Sequence, residues 1–167
     1  ITVIGATPGG GKTSLMCCLA LYAATNPLVN SVALFSREQS TSATILYNFV
    51  PMVLEIDATC IRDREPSIEL LAQKIDESGM PYLPIDIIEQ ADCPDKRMTV
   101  DFISDYVKQH KPSVVFIDYL QMLDASGSHF SREREIADMM SKLTDLAKSE
   151  HIPVVILAQL SREAEVM

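Results

Sequence analysis

One run, Ala6-Thr7-Pro8-Gly9-Gly10-Gly11-Lys12-Thr13, constrains this chain more than any other. A β-like stretch, Ile1-Thr2-Val3-Ile4, feeds it, and an apolar helical stretch over residues 12–24 leaves it. Strand, glycine-rich loop and helix in that order is the setting a phosphate-binding loop requires. The three glycines let the backbone curl until successive N–H groups point inward at phosphate oxygens. The helix N-terminus behind them adds partial positive charge. Lys12 is then expected to reach the β- and γ-phosphates, and the Thr13 hydroxyl to sit on Mg2+. The nucleotide-binding set is Ala6, Thr7, Pro8, Gly9, Gly10, Gly11, Lys12, Thr13 and Ser14. The usual pattern opens on Gly, whereas this chain has Ala6, which a negative φ at that position would accommodate.

The remainder alternates apolar runs with helical periodicity, the pattern of an α/β chain whose mostly parallel sheet is flanked by helices on both faces. Val32-Ala33-Leu34-Phe35, residues 85–88, Val114-Val115-Phe116-Ile117 and Val154-Val155-Ile156-Leu157 read as strands. The runs at 114–117 and 154–157 carry no polar alternation and are expected to be buried on both faces. Helices are predicted over 42–54, with a disturbance at Pro51, and over 67–77. A third, over 99–110, places Val100, Ile103 and Val107 on one face. Residues 124–131 contain Ser-Gly-Ser and read as a mobile loop. Ser131 follows as an N-cap, with Glu133 and Glu135 near the positive end of a helix. Ile136, Met139, Met140, Leu143 and Leu146 form its buried stripe.

With 167 residues the chain suffices for one compact domain and not comfortably for two. No apolar stretch approaches the ~18 residues of a membrane span, and no cationic segment precedes a hydrophobic one, which points to the cytoplasm. A formal net charge of −9 argues against a generally basic nucleic-acid surface, without excluding a local phosphate-tracking path. Cys17, Cys18, Cys60 and Cys93 form no Cys-x-x-Cys pair and are read as reduced, packed thiols. His110, His129 and His151 are read as surface residues.

Three further residues carry chemistry. Asp118 ends the buried run 114–117, which puts it at the carboxyl edge of the sheet, where ligands bind in open α/β folds. There it can hold Mg2+ beside Thr13. Glu38 follows the run 32–35 and should face the same edge. Because Tyr119, not an acid, follows Asp118, Glu38 is the best-placed group to orient or deprotonate an attacking water. Gln159 lies just past the last strand, where a neutral amide can bond the γ-phosphate and a neighbouring loop together.

Four segments in order carry a resemblance: the phosphate loop, Phe35-Ser36-Arg37-Glu38-Gln39-Ser40, Ile117-Asp118-Tyr119-Leu120-Gln121-Met122-Leu123, and Leu157-Ala158-Gln159-Leu160-Ser161-Arg162. Together they resemble the RecA-like motor domain of DnaB-type hexameric replicative helicases. That family also carries Ala and Pro at the positions of Ala6 and Pro8. Residues 132–153 and, more weakly, Ile61-Arg62 are similar to it as well. Arg37 and Gln39 stand where the family usually has Leu and Met, and Thr7 where Arg is common, departures that mark a divergent, phage-related member.

The resemblance implies a RecA-like P-loop core that hydrolyses ATP with Mg2+ at subunit interfaces, moves on single-stranded DNA and unwinds duplex during replication. It implies Lys12, Glu38 and Gln159 as catalytic groups, with Thr13 and Asp118 on the metal. It places the loop holding Ser126, Gly127 and Ser128, together with Arg132, toward DNA. The implied partners are further copies of the chain in a hexameric ring, and a primase or helicase loader. It also implies that a helical N-terminal domain and linker precede residue 1, and that an arginine finger follows residue 167, so that residues 1–167 alone hydrolyse poorly. A RecA-like recombinase or clock-type ATPase shares the same loop, Glu and Gln logic. A P-loop kinase or a non-motor nucleotide switch is the reading from another class, although no Arg-rich lid is present.

Overall fold

The protein was analysed as a computed structural model, which describes residues 1–63, 65, 67–125 and 131–160. Five strands form one sheet in the order β1-β5-β4-β2-β3, and every pairing is parallel. They are β1 (Thr2–Ala6), β2 (Val32–Ser36), β3 (Ile85–Glu89), β4 (Val114–Asp118) and β5 (Val154–Gln159). The main helices are α1 (Lys12–Ala24), α2 (Thr41–Thr44), α3 (Val50–Leu54), α4 (Ala58–Arg62), α5 (Ile68–Glu77), α6 (Val100–His110) and α7 (Arg132–Ser149).

Side chains alternate across a strand, and that alternation divides the core in two. Val32, Leu34, Val114, Phe116 and Leu157 pack against Met16, Cys17, Ala20 and Ala24 of α1 and against Phe49. Ala33, Phe35, Val115, Ile117, Val154 and Ile156 face the other way. They meet Val100, Ile103 and Val107 of α6 and Met139, Leu143 and Leu146 of α7. All five residues of β4 are buried, as its unbroken apolar run predicts, and so are all five of β2; in β5, Val154, Ile156 and Leu157 are buried and Val155 only partly so. The stripe predicted for α7 is real, with Ile136 and Met140 packed at its margin.

The helix predicted over 42–54 is one continuous path with a wide turn in it. Residues Ile45–Phe49 adopt π geometry between α2 and α3, and Pro51 sits in the first turn of α3. A proline ring crowds the carbonyl four residues earlier, here Tyr47, so the widening falls before Pro51 and not at it. The segment 57–97 contains a helix that periodicity alone does not announce. In α4, Asp57 caps the N-terminus by accepting from the Thr59 N–H at 2.8 Å.

Ser131 does occupy the N-cap of α7, but its side chain does not cap the backbone. Glu133's carboxyl is held below its usual range by its own backbone N–H and then by the Ser131 hydroxyl. His110 is exposed and stacks on Tyr106 at 4.0 Å, and His151 is exposed; His129 lies outside the described residues. Cys17 and Cys93 are buried, whereas Cys18 is exposed, because α1 is apolar on its outer face as well. Among the described residues, no helix is long and apolar enough to cross a membrane.

Candidate nucleotide-binding and catalytic site

Parallel register levels the carboxyl ends of the strands in two pairs, with β1 and β5 running two residues beyond β4 and β2. Ala6 pairs with Gln159, and Ser36 pairs with Asp118. The residues that follow these ends therefore share one rim of the sheet, and the glycine-rich loop rises from it.

The loop has the conformation its composition demands. Gly9 and Gly11 hold φ of 79° and 74°, a region that side chains with a Cβ rarely occupy. Gly10 donates its N–H to the Thr7 carbonyl at 3.1 Å. A Cβ on Gly10 would meet that same oxygen at 3.1 Å and Ala6 Cβ at 3.2 Å. Ala6 itself ends β1 and is not among the positive-φ residues, so its methyl is accommodated. Lys12 Nζ donates to the carbonyls of Ala6 and Thr7, each at 3.0 Å, which folds the ammonium back across the loop.

Asp118 is 2% exposed, and its Oδ2 accepts from Thr13 Oγ1 at 2.8 Å. Its Oδ1 is buried with no partner. Burial pushes the Asp118 carboxyl above its usual range, and the Glu38 charge pushes the same way. The Thr13 bond and the Lys12 charge oppose them. A buried, unpartnered carboxylate oxygen beside a hydroxyl is a donor set suited to a hard divalent cation. No group of three or more His, Cys, Asp or Glu that could hold a metal occurs among the described residues. That is compatible with Mg2+, which takes one or two carboxylates and completes its shell with water and phosphate. The peptide bond from Asp118 to Tyr119 is cis.

A cleft of about 270 Å3 opens over the loop, lined by residues from Pro8 to Ser14 and by Glu38, Gln39, Asn48 and Gln159. Glu38 and Gln159 thus reach one space from two different strands. Roomier grooves lie on α6, away from all of these residues, so size does not mark the site.

Sequence reasoning missed two residues that shape this cleft. Asn48, 7% exposed on the π turn, donates from Nδ2 to Gln39 Oε1 at 3.1 Å. Its Oδ1 faces the Ser14 hydroxyl at 3.4 Å. Gln121 holds the backbone of Gln159 from both sides. Its Nε2 donates to the Gln159 carbonyl at 3.0 Å, and its Oε1 accepts from the Gln159 N–H at 3.1 Å. An Asn inside the apolar stretch Leu46-Tyr47-Asn48-Phe49 was a usable signal; Gln121 offered none beyond its place in the motif.

Arg132 sits at the start of α7, where its Nη2 donates to the carbonyls of Gln121 at 2.7 Å and Leu123 at 3.4 Å, and its Nη1 pairs with Glu135. Ser126, Gly127 and Ser128, expected in a mobile loop facing DNA, lie outside the described residues.

Known proteins of the same pattern share this frame. A family model for the DnaB-like helicase C terminal domain matches residues 1–167. A "Probable plasmid replicative DNA helicase" of Chlamydia trachomatis is 29% identical over 170 residues, covering 98% of this chain and 36% of that protein. The "Replicative DNA helicase DnaB" of Helicobacter pylori is 30% identical over 168 residues, covering 99% of this chain and 33% of that protein. A solved DnaB-like replicative helicase, described with its interactions with primase, superposes with a TM-score of 0.85 at 25% identity. That match covers all of this chain and 40% of the other. The chain thus spans about a third of the length of the curated relatives it matches. The fold is RecA-like, and the chain belongs to the DnaB-like helicase C-terminal domain family.

Proposed function

We propose that this domain is the ATP-hydrolysing motor of a replicative DNA helicase, acting in the cytoplasm on single-stranded DNA as part of a homo-oligomeric ring, in the family's usual hexameric form. The observation that supports this most is the convergence of Lys12, Thr13, Glu38, Asp118 and Gln159 on one rim of the sheet. Four separate sequence segments would have no reason to deliver these groups to one rim unless phosphate chemistry occurred there.

The residues divide the work. The N–H groups of the loop from Gly9 to Ser14 cradle the phosphates. Lys12 exchanges the carbonyls of Ala6 and Thr7 for the β- and γ-phosphate oxygens. Thr13 and Asp118 would hold Mg2+, which would neutralise charge on the phosphates. Glu38 orients the attacking water and accepts its proton, so that the γ-phosphoryl group passes to water and ADP leaves. Gln159 bonds the γ-phosphate through its side chain while Gln121 grips its backbone. Loss of that phosphate is thereby felt at Gln121 and at Arg132, which holds Gln121's own carbonyl. Ser126, Gly127, Ser128 and Arg132 belong to the part of the domain we assign to DNA, and a primase or helicase loader is the expected accessory partner. We take residues 1–167 as a single domain.

The test is steady-state ATP hydrolysis by the full-length protein, with and without single-stranded DNA, beside its Glu38→Gln variant. Stimulation by DNA that disappears in the variant is the expected result. Hydrolysis indifferent to DNA would turn the reading toward a recombinase-like or clock-type ATPase.

A further inference from the structure

Glu38 poses a positioning problem. It is exposed at the rim of the cleft, and among the described residues no donor bonds its carboxylate. A general base must keep its oxygens available for water, so its direction has to be set by its flanks. On one side Gln39 is tied down: its N–H faces Ser36 Oγ, its carbonyl accepts from that hydroxyl at 3.1 Å, and its side chain meets Asn48. On the other side stands Arg37.

Arg37 is held at both ends. Its backbone N–H donates to the Asp118 carbonyl at 3.1 Å, continuing the β2–β4 ladder one step past the strands. Its guanidinium Nη1 donates to the Met122 carbonyl and pairs with Asp124 Oδ1 at 3.1 Å. The anchor is itself fixed. Asp124 Oδ2 accepts from the Met98 N–H at 3.0 Å, and the Asp124 N–H returns to the Met98 carbonyl at 2.9 Å. Both charged side chains are only 21% exposed, so water competes weakly for the pair.

We infer that Arg37 is the positioning residue for Glu38: by gripping Met122 and Asp124 on the exit of β4, it locks the turn after β2 so that the Glu38 carboxylate faces the nucleotide cleft. This rests on the reading of Glu38 as the catalytic base. Arg37 is not among the residues that line the cleft and acts only through its neighbour.

The experiment is ATP hydrolysis by the full-length protein in the presence of single-stranded DNA, with kcat and KM measured separately. The variants are Arg37→Met, Arg37→Lys, Asp124→Asn, Glu38→Gln, and Arg37→Met combined with each of the last two. Misplacing a reacting group by about 1 Å costs on the order of 100-fold. Arg37→Met is therefore expected to lower kcat by roughly 10- to 100-fold, with KM for ATP within about twofold of the parent. Arg37→Lys should recover part of the loss, since an ammonium can still reach one of the two oxygens. Asp124→Asn should shift kcat in the same direction, and the double variant should be no worse than Arg37→Met alone, as for two residues in one contact. In a Glu38→Gln background, Arg37→Met should cost nothing further. Unchanged kcat in Arg37→Met, a parallel rise in KM, or losses that multiply with Glu38→Gln would overturn the inference. If Glu38→Gln itself hydrolyses like the parent, the reading of Glu38 fails first, and the same series shows it. Asp124→Asn probes the contact from its other side if an Arg37 variant does not fold.

Discussion

Thr13 and Asp118 stand 105 positions apart in the sequence and meet at 2.8 Å at the head of the sheet, hydroxyl to carboxylate. One belongs to the first turn of α1 and the other to the last residue of β4. Their bond uses one carboxylate oxygen and leaves Oδ1 buried and alone. A site arranged in this way is unfinished without a cation.

That incompleteness has a measurable cost in the nucleotide-free protein. Burial raises the Asp118 pKa in the folded state, so the folded protein holds this proton more tightly than the unfolded chain does. Stability then falls as pH rises from the ordinary carboxyl value of 3.8 through the raised one, and above that window the whole penalty is present. Asp118→Asn removes the ionisation. Without Mg2+ it is expected to melt higher than the parent at neutral pH and to lose that part of the pH slope. Mg2+-dependent hydrolysis should drop by on the order of 100-fold. Melting curves across pH, paired with hydrolysis rates, check both halves; a variant that melts lower at neutral pH would refute the first.

The double grip of Gln121 on Gln159 predicts a combined stability and activity defect. Gln121→Ala removes two hydrogen bonds and strands a backbone N–H and carbonyl in a half-buried position. The expected loss is about 1–3 kcal/mol of unfolding free energy. Gln121→Glu should be at least as damaging, because it replaces the donor facing the Gln159 carbonyl with a second acceptor. Urea unfolding followed by circular dichroism reads the first effect, and a fall in ATP hydrolysis greater than the loss of folded protein reads the second.

At the loop, two kinds of glycine should respond differently to alanine. Gly9 and Gly11 have open space around a Cβ but positive φ, so Gly9→Ala and Gly11→Ala carry about 1–2 kcal/mol of backbone strain each. Gly10 has the opposite problem, a normal φ with Thr7 O and Ala6 Cβ within 3.2 Å of the new methyl. Gly10→Ala should therefore move the Thr7 carbonyl, one of the two that hold Lys12, and weaken nucleotide binding more than it lowers the melting temperature. Titration with a fluorescent nucleotide alongside thermal melts separates the two.

Neighbouring cysteines on α1 should differ sharply in reactivity. Burial pushes the Cys17 thiol up to about 12, with the Asp118 charge adding to it, whereas Cys18 is exposed. Thiolate is the nucleophile. Iodoacetamide at pH 8 is expected to modify Cys18 within minutes and Cys17 only after denaturation, a difference that peptide mass spectrometry resolves directly.

Much of this frame was legible in the amino-acid order. The runs at 32–35, 114–117 and 154–157 are apolar on both faces, a pattern that fits a covered parallel sheet. Once those strands were placed, Glu38, Asp118 and Gln159 fell at the same rim. Position along a strand is a one-dimensional property, so sequence carries it. Side-chain partnership across strands is not. Nothing local to Gln121 says that its amide will clasp Gln159, or that Arg37 will reach Asp124, because those pairings depend on which strands end up adjacent. The segment 57–97 carries weak sequence signals for a different reason. Its short helices and 3-10 turns are held by local caps such as Asp57, and the structure buries little of α4 or α5. Ser126, Gly127 and Ser128 remain a proposal from resemblance.

The register of the strand ladder also acts as a ruler. Adjacent strands lie about 4.8 Å apart, so the tips of β1, β5, β4 and β2 follow one another at even spacing across the sheet, with a step of two residues between β5 and β4, and each tip carries one functional element. The working distances of the site are therefore inherited from the hydrogen-bond ladder and not negotiated by loops. A substitution deep in the core that tilts one strand will shift a functional group as surely as a change at the rim.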